Sequence, residues 1–183
     1  MSDSILVAYA TRYGSTRQVA EEIAATLRER GLEVVLQPVR EMQDLNGCRA
    51  IVLGAPLYFG ALHKDARWFL TQHQESLGAR PLAFFALGPT THPRREEEWQ
   101  GARAQLDQEL AKFPWLAPVA VELFGGKYDP ARLRLADRLI ASLPASPLHG
   151  VPASDSRDWT VVRAWADNLA ATLQSGSPCQ GGV

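Results

Sequence analysis

The sequence predicts a doubly wound α/β domain, in which helices cover both faces of a five-stranded parallel sheet. Short apolar runs alternate with amphipathic stretches of helical period, and no repeat or interdomain linker interrupts the 183 residues. Strands joined through helices are parallel, with right-handed crossovers. Five such strands fit the order 2-1-3-4-5, with residues 1–174 in one domain and a disordered tail over residues 175–183.

Strands and helices alternate from the start of the chain. Residues 5–10 (ILVAYA) form the continuous apolar run that is typical of a strand buried on both faces. Residues 15–30 have one apolar face and end before Gly31, which indicates a helix. The same reasoning predicts strands over residues 32–39, 50–54, 81–88 and 118–124, and helices over residues 64–77, 96–113, 130–143 and 159–174.

The charge balance and the cysteines exclude several classes of protein. With 19 basic and 20 acidic residues, the chain lacks the basic surface of a nucleic-acid-binding protein. Cys48 and Cys179 are far apart and the histidines lack ligand spacing, so we expect no disulfide framework and no metal site. No signal peptide and no membrane-spanning stretch is evident. We therefore expect a cytoplasmic protein, soluble or attached to a membrane surface.

The segment after the first strand has the features of an anion site. In an open sheet of this order, ligands bind beyond the carboxyl ends of the strands. Here hydroxyl side chains and a glycine precede a helix, whose first N–H groups and positive dipole end attract a phosphate. The alternative is that Ser15 or Thr16 only caps the helix and that Gly14 only forms the turn. The predicted phosphate residues are Thr11, Arg12, Tyr13, Gly14, Ser15 and Thr16.

Signatures of competing sites are missing from the sequence. It contains no GxxxxGK[ST] loop, no GxGxxG after the first strand and no GxSxG elbow, which disfavours P-loop nucleotidases, dinucleotide-binding domains and α/β hydrolases. A phospho-acceptor receiver domain would carry an aspartate at the end of the third strand, where this chain has Leu53-Gly54-Ala55-Pro56.

Two segments resemble the flavin loops of flavodoxins. YATRYGSTRQVAEEIA (residues 9–24) resembles their phosphate loop, and GAPLYFG (residues 54–60) resembles their second flavin loop. The resemblance extends over residues 4–173. Within the superfamily it is closest to the branch of menaquinone-dependent protoporphyrinogen oxidases, on the basis of GAPLYFG, of FGGKYDP after the fifth strand, and of residues 158–170.

This resemblance implies a flavodoxin-like, FMN-binding domain. The loop after the first strand would hold the phosphate, and Gly60 would let a neighbouring peptide reorient when the flavin is reduced. An alternative for Tyr58 and Phe59 is packing against Trp68 and Phe69. The residues expected along the flavin ring are Pro56, Leu57, Tyr58, Phe59 and Gly60, those expected at its edge are Gly88, Pro89, Thr90 and Thr91, and Gly126 is expected to reach it from the turn after the fifth strand.

Two departures from electron-carrying flavodoxins favour an enzyme. The third loop has no Tyr or Trp, and a net charge of −1 gives little steering toward basic protein partners. We expect an FMN-dependent oxidoreductase that oxidises a porphyrinogen-like or other organic substrate and uses a quinone as acceptor. No catalytic residue is assigned. The alternatives are an electron-transfer flavodoxin that docks to redox partners, and a binding module that has the fold without the cofactor.

Several side chains near these loops are candidates for substrate contacts. Arg12, Arg94 and Arg95 suit the carboxylates of an anionic substrate, although exposed arginines also occur as solvated surface. His92 is a candidate proton donor.

The predicted helix over residues 130–143 has an apolar arc, with Arg134, Asp137 and Arg138 on the opposite side. It is expected either to dock on its own domain or to lie at a quinone and the inner face of a membrane. The arc consists of Leu133, Leu135, Ala136, Leu139, Ile140 and Leu143.

Overall fold

A computed structural model of the chain describes residues 4–58, 60–90, 95–146 and 149–175. Phe59, Thr91, His92, Arg94 and Cys179 lie outside the described residues, as does the predicted tail from residue 176 onward. The strands of the described chain are β1 (Ser4–Tyr9), β2 (Val34–Pro38), β3 (Cys48–Tyr58), β4 (Ala61–Leu62), β5 (Leu82–Leu87), β6 (Ala120–Phe124), β7 (Lys127–Tyr128) and β8 (Ser154–Asp155). Its α-helices are α1 (Ser15–Glu29), α2 (Lys64–Gln72), α3 (Gln74–Gly78), α4 (Glu96–Leu110), α5 (Leu135–Ser142) and α6 (Trp159–Ser175).

The predicted sheet order is confirmed. Five strands pair in parallel in the order β2-β1-β3-β5-β6, which is 2-1-3-4-5 when only the parallel strands are numbered. Every residue of β1 and β5 is buried, as expected of strands that are covered on both faces. Alternate residues point to opposite faces, so Ile5 packs in the cluster with α1 and α6, whereas Leu6 packs in the cluster with α2 and α4.

The largest differences from the sequence predictions lie at the carboxyl edge of the sheet. Strand β3 continues to Tyr58 instead of ending at Gly54, because β4 turns back and pairs with it, Leu57 opposite Leu62. Neither this hairpin nor the β7–β8 pair was predicted. The predicted helix over residues 64–77 is divided at His73 into α2 and α3.

The predicted helix over residues 130–143 is also interrupted. Asp129 caps a short 3₁₀ turn, Pro130–Arg132, through a bond from the Ala131 N–H, 3.0 Å. Leu133 and Arg134 then take extended backbone angles, so α5 begins only at Leu135. The periodicity of the apolar residues does not show this break, since the break lies in the backbone angles of Leu133 and Arg134 rather than in side-chain spacing.

The ring of Phe85 packs directly against Gly54 in the core of the sheet. A Cβ atom placed on Gly54 would lie 2.0 Å from Cζ of Phe85, so the ring occupies the space that a side chain would need. Phe85 is fully buried and contacts Phe124 and Trp165, with ring centroids 6.0 and 6.3 Å away. The ring therefore has little room to move.

We predict that Gly54→Ala lowers the free energy of unfolding by about 1–3 kcal/mol, the usual cost of overpacking a core. Urea unfolding followed by circular dichroism measures this change. Gly78→Ala is the matched control, because nothing lies within 4 Å of its Cβ position. Equal stability of the two variants would contradict the packing described for Phe85.

Candidate functional site

A cavity of about 1000 Å³ opens at the carboxyl edge of the sheet, above the ends of β1, β3, β5 and β6. Helix α4 and residues 127–146 form its outer wall. Thr11, Gly14 and Thr16 do not line it, and Phe59 and Thr91 are outside the described residues. The cavity brings together the predicted residues Arg12, Tyr13, Ser15, Pro56, Leu57, Tyr58, Gly60, Gly88, Pro89, Thr90 and Gly126.

The start of α1 is open toward this edge. Its N-cap is Gly14, with φ 87°, and no side chain accepts a capping bond from the first turn. The alternative in which Ser15 or Thr16 caps the helix is therefore wrong. Instead, the Gly14 N–H donates to Thr11 Oγ1, 2.9 Å, which shapes the turn. The N–H groups of the first turn are left without a side-chain acceptor, as an anion site requires.

Thr16 adds an unsatisfied hydroxyl just behind this turn. Its side chain is fully buried, and its Oγ1 has no hydrogen-bond partner among the described residues. Buried polar groups are nearly always paired, since leaving one unpaired costs about 1–3 kcal/mol. An unpaired hydroxyl beside an open helix start is what a bound phosphate would satisfy.

Helix α5 is held against this loop by one carboxylate. Both oxygens of Asp137 accept from the Arg12 guanidinium, at 2.6 Å, and Asp137 also accepts from the Tyr13 hydroxyl. The bond from Tyr13 and the charge of Arg12 lower the pKa of Asp137. Sequence analysis placed Asp137 only on the polar side of its helix, because nothing local signals a partner 125 residues away.

Tyr58 lines the cavity from the end of β3. Burial raises the pKa of its phenol to about 12, so the side chain is neutral at physiological pH. Its ring meets His63 edge-on at 6.3 Å, whereas Trp68 and Phe69 contact His73. The sequence alternative, in which Tyr58 packs on Trp68 and Phe69, is not what these ring contacts show.

The hairpin that follows Tyr58 is anchored to α4. The Leu62 N–H donates to Glu109 Oε2, 3.0 Å, and Glu109 also pairs with Lys112. Burial alone would raise the pKa of Glu109, but these bonds outweigh it and the pKa is lowered. Gly60 has φ +80° and a Cβ there would lie 3.2 Å from Gln105 Cδ. Sequence analysis missed Glu109, whose role depends on the unpredicted strand β4.

On the far side of the cavity, two turns pack backbone against backbone. The Gly126 N–H donates to the Pro89 carbonyl, 2.8 Å, and a Cβ on Gly126 would lie 2.5 Å from the Gly88 carbonyl oxygen. This close contact requires glycine and brings Tyr128 of β7 to the cavity wall. A third aromatic side chain, after Tyr13 and Tyr58, therefore comes to the cavity from β7.

The predicted cationic contacts are only partly present. Arg12 lines the cavity, but Arg95 is exposed, pairs with Glu98 at 3.6 Å and does not line it. Arg94 and His92 lie outside the described residues. Arg132, which sequence analysis did not single out, lines the cavity from the 3₁₀ turn before α5.

Within the part of the chain that the structure describes, no three His, Cys, Asp or Glu side chains are grouped as a metal site would need. None of the described helices has the length and apolar character needed to cross a membrane.

A doubly wound sheet with an open helix start and a cavity at its carboxyl edge defines a class of ligand-binding α/β proteins. The profile of the Flavodoxin domain family matches residues 6–151, so this chain belongs to that family. The structure is similar to the solved structure of flavodoxin 2 from Bacillus cereus, with a TM-score of 0.55 and 20% sequence identity. The comparison covers 94% of this chain and 98% of the other. A mutant of flavodoxin from Pseudomonas aeruginosa has a TM-score of 0.58, 16% identity and coverage of 93% and 99%.

Two proteins with similar sequences are named as an enzyme. Protoporphyrinogen IX dehydrogenase [quinone] from Escherichia coli K12 is 24% identical over 173 residues, which is 90% of this chain and 93% of the relative. The protein of the same name from Leishmania major is 25% identical over 179 residues, 93% of this chain and 76% of the relative. Family membership implies a flavin cofactor, and the open helix start and the unpaired Thr16 hydroxyl fit its phosphate.

We predict that Thr16→Val weakens FMN binding by about tenfold to a hundredfold, the loss expected for one hydrogen bond to a charged group. The unfolding stability of the FMN-free protein should be unchanged or higher, because a buried unpaired hydroxyl is removed. Fluorescence titration with FMN measures the affinity.

Thr26→Val in the same helix is the matched control. Its hydroxyl donates to the Glu22 carbonyl, 3.0 Å, near the other end of α1. FMN affinities within twofold of each other in the two variants would show that Thr16 does not contact the phosphate.

Proposed function

We propose that the protein is an FMN-dependent oxidoreductase that oxidises an organic substrate of porphyrinogen type and uses a quinone as acceptor. The observation that carries this proposal is the cavity that joins the open start of α1 to a wide space beside Tyr58 and Tyr128. Its volume of about 1000 Å³ is at the upper end for small-molecule sites, which leaves room for a substrate beside a flavin. The names of the two relatives support a porphyrinogen substrate and a quinone acceptor.

The predicted site residues would contact different parts of FMN. Thr11, Arg12, Tyr13, Gly14, Ser15 and Thr16 would hold the phosphate. Pro56, Leu57, Tyr58, Phe59 and Gly60 would lie along the ring, and Gly88, Pro89, Thr90, Thr91 and Gly126 would border its edge. When bound there, FMN would supply two-electron redox chemistry, in which the substrate loses two electrons and two protons and the quinone gains two electrons and two protons to become a quinol.

Cations at the cavity suit an anionic substrate. Arg132 lies on the wall formed by residues 127–146, and its nearest carboxylate, Asp129, is 3.7 Å away. Arg12 is already engaged by Asp137 in a two-pronged contact. Arg132 is therefore the better candidate to meet a substrate carboxylate, because a weakly paired guanidinium loses less on changing partners.

The position of α5 supports peripheral contact with the cytoplasmic face of a membrane. Leu135, Leu139, Ile140 and Leu143 are each more than half exposed, and only Ala141 of this helix is buried. One expectation was that this helix docks on its own domain. In the structure, its apolar face is not covered by the domain. Arg134 and Arg138 are exposed in the same segment, and an exposed apolar face with nearby cations favours anionic lipid over water. Ile140 and Leu143 also line the cavity, so a quinone in the lipid would lie next to its mouth.

We predict that the FMN-loaded protein loses its visible flavin absorption when protoporphyrinogen IX is added without oxygen, and regains it on addition of a menaquinone analogue. Arg132→Gln should raise the KM for this substrate several-fold with little change in kcat. Arg103→Gln, which removes an exposed arginine paired with Asp107 on α4, is the matched control.

The two alternatives give different results in the same assay. Rapid reduction by a ferredoxin-type reductase, with no response to porphyrinogen, would make the protein an electron carrier. A colourless protein that ignores added FMN would make it a binding module.

We predict that Leu139→Glu reduces sedimentation with phosphatidylglycerol vesicles by about tenfold or more, since burying one leucine contributes about 1.5–3 kcal/mol. FMN affinity should not change. Val161→Glu is the control, because Val161 is 48% exposed on α6 and lies away from the apolar face of α5. Equal binding of both variants to the vesicles would contradict membrane contact through α5.

A further inference from the structure

A second, smaller pocket lies beside the flavin cavity. It has a volume of about 270 Å³ and is formed at the ends of β1 and β2, at the start of α2 and next to α5. Arg12 is the only described residue that lines both spaces. Among the described residues that are predicted to contact FMN, only Thr11 and Arg12 line this pocket.

The walls of this pocket carry an excess of positive charge. Arg12, Arg40, Lys64 and Arg134 line it, and Asp65 is its only described carboxylate. The whole chain has a net charge of −1, so this concentration does not reflect a generally basic surface. Like charges that share a small space repel one another, and a bound anion relieves this repulsion.

Two of these cations lie outside the existing salt bridges of the described residues. Asp65 accepts two bonds from Arg40, at 2.6 and 3.0 Å, and Arg12 is paired with Asp137. In the described ranges, Lys64 and Arg134 form no ion pair. Both line the same pocket and are exposed, which leaves them free to approach a ligand.

Neutral donors in the pocket suit the same kind of ligand. His63 Nδ1 accepts from the Asp65 N–H, 3.3 Å, so a neutral ring carries its proton on Nε2 and can donate it. Burial lowers the pKa of His63, which keeps the ring neutral. Thr11 Oγ1 accepts from the Gly14 N–H, and its own O–H remains available.

We propose that this pocket binds a second oxyanion, a carboxylate or phosphate group that is distinct from the phosphate of FMN. The volume of the pocket is large enough for one such group and the short chain that links it to the rest of the ligand. The group can come from a free phosphate, or from a carboxylate of a substrate in the flavin cavity that reaches past Arg12. Only the second source rests on the proposed function.

The test uses the FMN-loaded protein and two probes, inorganic phosphate and glutarate, followed by amide NMR titration. We expect saturable shifts at Thr11, Lys64 and Arg134. Lys64→Gln should weaken binding of the probes at least about tenfold, and Lys64→Gln combined with Arg134→Gln should abolish it. Arg30→Gln is the matched control, because it removes one positive charge at the end of α1, at the opposite edge of the sheet.

FMN affinity separates this pocket from the cofactor site. Unchanged FMN affinity in Lys64→Gln supports a separate site. Shifts that do not saturate, equal probe affinities in Lys64→Gln and Arg30→Gln, or a loss of FMN affinity as large as the loss of phosphate affinity would overturn the proposal.

The source of the anion is distinguished by the substrate. A KM that rises in Lys64→Gln for protoporphyrinogen IX, but not for its dimethyl ester, assigns the pocket to a substrate carboxylate. An unchanged KM together with phosphate binding assigns it to free phosphate. Absence of porphyrinogen turnover would reject only the proposed function, since the probe titration contains no substrate.

Discussion

The complete burial of β1 on both faces is the constraint from which the site follows. A central parallel strand must be covered by helices on each side, so the crossovers that leave β1 and β3 run to opposite faces. Their divergence opens a crevice at the carboxyl edge, and α1 begins there without a side-chain capping bond from any described residue. The position of the open helix start is thus a consequence of the sheet order, and the bond from the Gly14 N–H to Thr11 shapes the turn before it.

The Asp137 carboxylate connects this site to the rest of the surface. It joins Arg12 and Tyr13 of the first loop to α5, the helix with the most exposed apolar side chains in the described chain. Arg12 also separates the large cavity from the small basic pocket. A ligand that competes for Arg12 would therefore act on both spaces and on the attachment of α5, since all three share one guanidinium.

Much of the fold and part of the site could be predicted from the sequence. The strand order follows from alternating apolar runs and helical periods, which are local signals. Pro56, Tyr58 and Gly88, which were predicted from two separate loops, line one cavity because the ends of neighbouring parallel strands meet at one edge. Asp137, Glu109 and Arg132 were not found, since each acts through a partner that is distant in sequence or through an unpredicted element.

The sequence by itself determined the α/β class, the alternation of strands and helices and the hydroxyl-rich turn before α1, because each depends on neighbours within a few residues. Only the tertiary structure decided that Thr16 Oγ1 has no partner among the described residues, that β3 extends to Tyr58 through its pairing with β4, and that the apolar face of α5 remains exposed. Burial and hydrogen-bond satisfaction are properties of the packed chain, so they depend on which distant segments meet.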